Sequence, residues 1–321
     1  MNFWALISEF ALSFFITIGL TLLLEKYLRK LNLLTVDAHK KDKPYVPRPG
    51  GPALLAGSLL FLMFIRNLYA FAFASSIVIA FIIGLADDIK KFGGIEKPLL
   101  GLLASIPIIL FHAYFPMPYL PFVGRVTIKI LYPLLILVGY PIYTNAANMI
   151  DIFNGVVTGT TAIAIIPIIL YDLIKGNTTA IYVGIAVEAS LIAFYMRHKY
   201  PSKIFPGDSG SLLMGAEIIG LMIISRAEIL GIISTLPLIF NGFFILSSIK
   251  GFKEHSELAR PLIVLDDYKM IASKDKGAPV TLARLLASRE PKTEKQLVYE
   301  IFGLECLASA LSIITLVVFY L

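Results

Sequence analysis

Apolar residues in this chain come in long unbroken runs. They do not follow the two-residue alternation of a half-buried strand or the one-sided stripe of a surface helix. The runs lie at 3–24, 52–66, 68–86, 98–113, 129–147, 156–174, 179–197, 211–225, 227–248 and 300–321. Crossing the hydrocarbon core of a bilayer takes about 20 apolar residues as a helix. The pattern therefore predicts ten membrane-spanning helices. Two pairs of runs are divided only by Arg66-Asn67 and by Arg226. Each pair together is too long for one crossing, so each reads as a hairpin of two helices.

Composition agrees and narrows the class. Hydrophobic residues are 57% of the 321 and charged residues only 16%, where a soluble domain carries about 25% charged. A soluble enzyme, a disordered chain and a disulfide scaffold are excluded; Cys306 is the only cysteine. The amino-terminal run lacks a basic start and a small-residue cleavage site, so it reads as a span and not as a cleaved leader. The expected fold is all-α: a polytopic integral membrane protein, with 1–321 as one transmembrane catalytic domain and 249–299 as a long cytoplasmic loop within it.

Charge then orients the chain. With ten helices the loops alternate sides. One set of loops holds 23 of the 28 Lys and Arg, and the other holds Arg66, Arg125, Lys129, Lys175 and Arg226. The positive-inside rule makes the rich side cytoplasmic and places both termini outside. The polar motifs cluster on the same side, so the active site is expected on the cytoplasmic face of the cell membrane. A nucleic-acid partner is not expected, and pairing into a homodimer is left open.

Asp87-Asp88 ends the third run. Two adjacent carboxylates at a membrane boundary repel and call for a cation or a basic partner. The pair suits Mg²⁺, with Mn²⁺ able to stand in, and a polyphosphate substrate with Lys97 nearby to meet phosphate; the plain alternative is a solvated helix end. Asn145, Asn148 and Asp151 recur every third residue, giving one polar helix face at the end of the fifth run, followed by Asn154-Gly155. Such groups are costly in a membrane unless they line a watery site or bond between helices. Phe205-Pro206-Gly207-Asp208-Ser209-Gly210-Ser211 leads into the eighth run. Its Gly-Asp-Ser-Gly string matches the nucleophile region of trypsin-like proteases, a reading rejected because the chain has no β-barrel pattern. A glycine-flexed turn holding Asp208 at the membrane face fits better. Asp37-Ala38-His39-Lys40 and Pro47-Arg48-Pro49-Gly50-Gly51 form a basic loop, equally readable as an anion-friendly turn or as a positive-inside anchor. Glu9, Glu188 and Glu217 are charges within spans; Glu188 reads as a hydrogen bond between helices.

Four motifs in this order resemble the polyprenyl-phosphate N-acetylhexosamine-1-phosphate transferases, glycosyltransferase family 4. They are the His39 to Gly51 loop, Asp87-Asp88, Asn145-x-x-Asn148-x-x-Asp151 and Phe205-x-Gly207-Asp208. The resemblance implies ten spans, a cytoplasmic site, a UDP-sugar donor and a polyprenyl-phosphate acceptor in the lipid bilayer. It implies that Asn148 and Asp208 hold Mg²⁺, that Asp87 and Asp88 act beside the lipid phosphate, and that Lys97 meets the donor phosphates. Asn154 and Phe205 match uracil-binding positions, with Asp151 beside them. Bacterial members carry a histidine cluster in the last long loop. This chain has His255 and Arg260 there, closer to the Arg/His-rich stretch of the eukaryotic branch, whereas Asp151 looks bacterial. The mixture suits an archaeal member that transfers GlcNAc-1-phosphate from UDP-GlcNAc to dolichyl phosphate and releases UMP. An undecaprenyl-phosphate enzyme or another UDP-N-acetylhexosamine is the alternative, and a secondary transporter is a competing class. The transporter is disfavoured because the carboxylates sit at span ends rather than at the midplane.

Overall fold

Every apolar run is helical, and polar residues at the run ends set where each helix starts and stops. The computed structural model describes residues 3–40, 42–249, 251 and 258–321. Its first half holds α1 (Phe3–Lys30), α2 (Gly51–Ser58), α3 (Leu68–Lys90), α4 (Glu96–Gly101) and α5 (Ile106–Leu110). Then come α6 (Leu131–Ile150), α7 (Val156–Lys175), α8 (Thr178–His198), α9 (Gly207–Ser225), α10 (Glu228–Ser234), α11 (Leu236–Ile249), α12 (Leu282–Leu286) and α13 (Glu294–Phe319). Both hairpin breaks fall where the sequence put them. Asn67 caps α3, its side chain accepting from the Ala70 N–H at 2.9 Å, which satisfies an otherwise orphaned donor. Arg226 closes α9 in the left-handed conformation, φ 59°. Thr293 and Gln296 form a capping box that starts α13.

The helices are not ten equal rods. Among the described residues, six helices (α1, α3, α7, α8, α9 and α13) are long and apolar enough to cross a membrane. The pair α10 and α11 is bent by 68° and makes a seventh span if counted as one. The other three runs depart from the simple expectation. α2 is extended only by a 3-10 stretch, Leu59–Met63. The run 98–113 is divided into α4, a 3-10 stretch Leu102–Ser105 and α5. Pro107, near the start of α5, has no N–H to continue the preceding ladder. α6 is continuous for 20 residues but carries Pro141 inside it and ends in Asn145 and Asn148.

α9 is the axis of the bundle. Apart from Asp208 its residues are buried, and it packs on α2, α3, α6, α7 and α8. Glycines permit the closest approaches. A Cβ on Gly84 of α3 would lie 2.3 Å from the Asp208 carbonyl oxygen, and one on Gly215 would lie 2.4 Å from the Tyr143 carbonyl oxygen of α6. The interhelical hydrogen bond expected of Glu188 is not made by its Oε2, which is buried without a partner.

Among the described residues, three short antiparallel hairpins amend the all-helical expectation: β1 (Leu34–Val36) with β2 (Tyr45–Pro47), β3 (Tyr119–Leu120) with β4 (Gly124–Arg125), and β5 (Leu262–Val264) with β6 (Met270–Ala272). The first positions the site. Beyond β2 the chain is clamped to the segment before α9. Phe205 N–H donates to the Pro47 carbonyl at 2.9 Å, Gly50 N–H to Phe205 at 2.8 Å, and Gly51 N–H to Pro206 at 2.9 Å. Arg48 is thereby held opposite Asp208. The last long loop carries β5, β6 and α12, and Arg284 ties it together by donating to the carbonyls of Ser273 and Asp275 at 2.7 and 2.9 Å. His255 lies outside the described residues.

Candidate active site

The adjacent carboxylates at the end of α3 have different work. Asp88 is fully engaged with the start of α9. Its Oδ1 accepts from the Asp208 N–H at 2.9 Å and its Oδ2 from the Ser209 N–H at 3.0 Å. A carboxylate there also suits the positive end of the helix dipole. Gly207, at φ 75°, makes the turn, and a Cβ on it would sit 2.7 Å from Asp88 Oδ2. Arg48 completes the arrangement, bridging Asp88 Oδ1 at 2.9 Å and Asp208 Oδ2 at 2.6 Å. Burial opposes the Arg48 charge, but Asp208, Asp88 and Asp151 outweigh it and hold its pKa above the ordinary value.

Asp87 faces the other way. Its Oδ1 accepts from the Phe92 N–H at 2.6 Å, and its Oδ2 pairs with the Lys97 ammonium. Lys97 also lies 3.4 Å from Asp208 Oδ1. The Asn148 amide donates to the same Asp208 oxygen and to Ser211 Oγ at 2.8 Å. Asp208 is thus the common partner of Arg48, Lys97 and Asn148. Asp151 follows α6 at the edge of this cluster. Burial raises its pKa to about 7; Arg48 pulls it down, and Asp208 and Asp88 add to the rise. Asn145 turns back on its own helix, donating to the Pro141 carbonyl at 2.8 Å.

A second polar cluster holds the remaining expected residues. Asn154 is 2% exposed. Its Oδ1 accepts from Lys40 at 2.7 Å and from the Ser202 N–H at 2.6 Å. Its Nδ2 donates to Asp37 at 3.1 Å, and its backbone N–H donates to Glu294 at 3.0 Å. This is a structural junction between the first loop and the start of α13, so pairing with a uracil edge requires the network to open. Phe205 is half-buried, edge-on to His198 at 6.1 Å. His39 packs edge-on to Phe153 at 5.1 Å. Burial lowers the His39 pKa, with Asp37 opposing and Lys40 and Arg260 adding to the fall. Arg260 is itself exposed.

Six predicted residues therefore converge at one end of the bundle: Arg48, Asp87, Asp88, Lys97, Asn148 and Asp208. Asp151 borders them, whereas His39, Asn154 and Phe205 stand in or near the second cluster. Ser211 closes the same motif, but its hydroxyl was given no role, although its place three residues after Asp208 on one helix face was a usable signal. Lys40 and Glu294 were missed as partners, because 254 residues separate them and no local pattern links them. Among the described residues no three carboxylate, histidine or cysteine side chains group into a self-sufficient metal cage.

The sequence model described as glycosyl transferase family 4 matches residues 70–226, a stretch that includes Asp87, Asp88, Lys97, Asn148 and Asp208. The chain is 31% identical over 228 residues to a protein of Saccharolobus solfataricus named for UDP-N-acetylglucosamine–dolichyl-phosphate N-acetylglucosaminephosphotransferase activity, covering 68% of this chain and 70% of that one. It is 29% identical to a protein of Methanocaldococcus jannaschii named as a glycosyltransferase, over 82% of this chain and 81% of that one. It is also 28% identical to a phospho-N-acetylmuramoyl-pentapeptide-transferase of Dictyoglomus turgidum, over 71% of this chain and 72% of that one.

Proposed function

Because the chain belongs to glycosyl transferase family 4, we propose that its carboxylate–cation cluster transfers GlcNAc-1-phosphate from UDP-GlcNAc to dolichyl phosphate and releases UMP. The observation that carries this reading is the convergence of Arg48 and Lys97 on Asp208, with Asp87 and Asp88 behind them. Two cations at a membrane boundary suit a reaction between two phosphate groups, where positioning and charge neutralisation dominate. The names of the archaeal relatives favour the dolichyl acceptor.

In this reaction an oxygen of the lipid phosphate attacks the phosphorus that bears the sugar. A new O–P bond forms, the bond from that phosphorus to the bridging oxygen breaks, and UMP leaves with the electron pair. Arg48 and Lys97 supply the positive charge that draws the donor diphosphate and the acceptor together. Asp88 aims Arg48 and fixes the start of α9. Asp87 orients the acceptor phosphate through Lys97. Phe205 offers a ring face to the uracil.

The donor set fits Mg²⁺. Asp87 and Asp208 already share one cationic atom, the Lys97 ammonium, so their oxygens aim at a common point. Mg²⁺ is commonly bound by one or two carboxylates plus substrate phosphates. Asp208 and Asp87 would hold it, with Asn148 joining once its amide turns its oxygen rather than its nitrogen toward Asp208, and it would polarise the reacting phosphorus.

The same reading extends to topology: ten crossings, the site on the cytoplasmic face and both termini outside. It is supported by ten helical runs and by the site lying where α1 ends and α13 begins. The test is release of UMP from UDP-GlcNAc by the purified protein in detergent. Turnover should require dolichyl phosphate and stop in excess EDTA. Turnover without lipid phosphate, or full activity in EDTA, would overturn the reading, and faster turnover on undecaprenyl phosphate would reassign the acceptor.

A further inference from the structure

The end of the bundle far from Asp208 holds a cavity of about 290 Å³, near the lower limit of small-molecule pockets. It is built where α7, α9 and α13 finish and the β3–β4 hairpin folds over them. The 19 residues of α9 set it about 28 Å from the carboxylate cluster, at the opposite membrane face. Three of the five basic residues outside the site-side loops line it: Arg125, Lys175 and Arg226.

None of the three makes a direct ion pair among the described residues, although the Arg226 charge acts on Glu228 through space. Arg226 lies over the Phe115 ring, 4.3 Å from its centroid, and Lys175 donates to the Tyr320 carbonyl at 2.6 Å. The acids nearby are engaged elsewhere. Glu228 accepts from the Tyr132 hydroxyl, and Asp172 accepts from Ser225 at 2.6 Å. The wall is fixed by aromatic packing: Tyr320 lies tilted against Tyr119 at 4.7 Å and edge-on to Tyr171 at 5.5 Å, and its hydroxyl donates to the Tyr119 carbonyl at 3.0 Å. Three cations line one pocket and outnumber the acids that act on them, and on a rigid aromatic wall at the level of the lipid headgroups they make an anion site.

We propose that this pocket binds a phosphate-ester anion, supplied by the headgroup of an anionic lipid in the leaflet opposite the Asp208 cluster. The probes are dioctanoyl phosphatidylglycerol, dioctanoyl phosphatidylcholine and inorganic phosphate. Binding to the full chain in detergent is read by native mass spectrometry, with melting temperature as the check on folding. Phosphatidylglycerol should bind one to one and more tightly than phosphatidylcholine. Arg125→Gln and Arg226→Gln should each weaken it roughly fivefold, the effect of one basic residue at an anionic surface. Lys175→Gln serves if either arginine variant fails to fold. Arg48→Gln, in the distant cluster, should leave this binding unchanged. Equal binding of the two lipids, or phosphatidylglycerol binding that survives both arginine changes, would overturn the site. Inorganic phosphate binding as tightly as phosphatidylglycerol would overturn the lipid assignment. Loss of the binding in Arg48→Gln would relocate it to the catalytic cluster.

Discussion

Asp208 receives Arg48 on one oxygen and Lys97 with Asn148 on the other, so its charge is the hub of the cluster. Asp208→Asn keeps the shape and removes that charge. Turnover should fall at least roughly a hundredfold, about 3 kcal/mol of transition-state stabilisation, with the melting temperature little changed; kinetics and melting of one purified sample check both halves. Asp151 makes a pH prediction. Its pKa in the fold is raised to about 7 by burial, against about 3.9 in an unfolded chain. Between those values the folded state holds a proton that the unfolded state has lost, so stability drains away as pH rises from about 4 to 7. Asp151→Asn should lack this part of the decline, and the difference between wild-type and variant melting temperatures across that window measures it. Asn154→Ala removes the three side-chain hydrogen bonds of a buried junction and keeps only the backbone N–H bond to Glu294. It should cost about 1–3 kcal/mol for the partners left unmet, seen as a lower melting temperature before any change in uridine preference.

At the level of elements, the seam between α3 and α9 decides whether the cluster forms. Gly84→Ala would place a methyl group against the α9 backbone where a Cβ has 2.3 Å. Overpacking of this kind costs about 1–3 kcal/mol and would shift Asp208 away from Asp87, so both melting temperature and turnover should drop. Asp88→Asn should also lower both, because an amide cannot accept from two α9 N–H groups and Arg48 together. Asp87→Asn should lower turnover alone. Much of this was legible in the sequence. The apolar runs located the helices, Asn67 and Arg226 marked real breaks, and six of the motif residues meet. Other features were not legible, for physical reasons. The 68° bend between α10 and α11 falls at Ser234-Thr235-Leu236-Pro237, and a reading by hydropathy alone passes over that short break. The division of labour between Asp87 and Asp88 depends on which one α9 reaches, 120 residues later. Arg48 reads locally as an ordinary membrane anchor, and only the clamp from 205–206 turns it into the bridge between two carboxylates.

Over the whole molecule, the placement of charge makes a claim about sidedness. Ser273 would be a natural labelling position in the last long loop, but it is 9% exposed and its carbonyl binds Arg284. Lys276 is exposed, so Lys276→Cys in a Cys306→Ser background is the better probe. It should resist an impermeant thiol reagent in intact cells and react in opened ones; labelling of intact cells would invert the orientation. The Asp88 cap on α9 also has a consequence in time. Asp88 leaves the ribosome 120 residues before the helix it caps, a delay of roughly 6–24 s at about 5–20 residues per second. During that interval the end of α3 rests at the membrane surface with Arg48 and Lys97 as its early counter-charges. A nascent chain interrupted before residue 208 would carry most of its helices in the bilayer and yet lack the hub of the carboxylate–cation cluster, which makes the cluster one of the last things this protein builds.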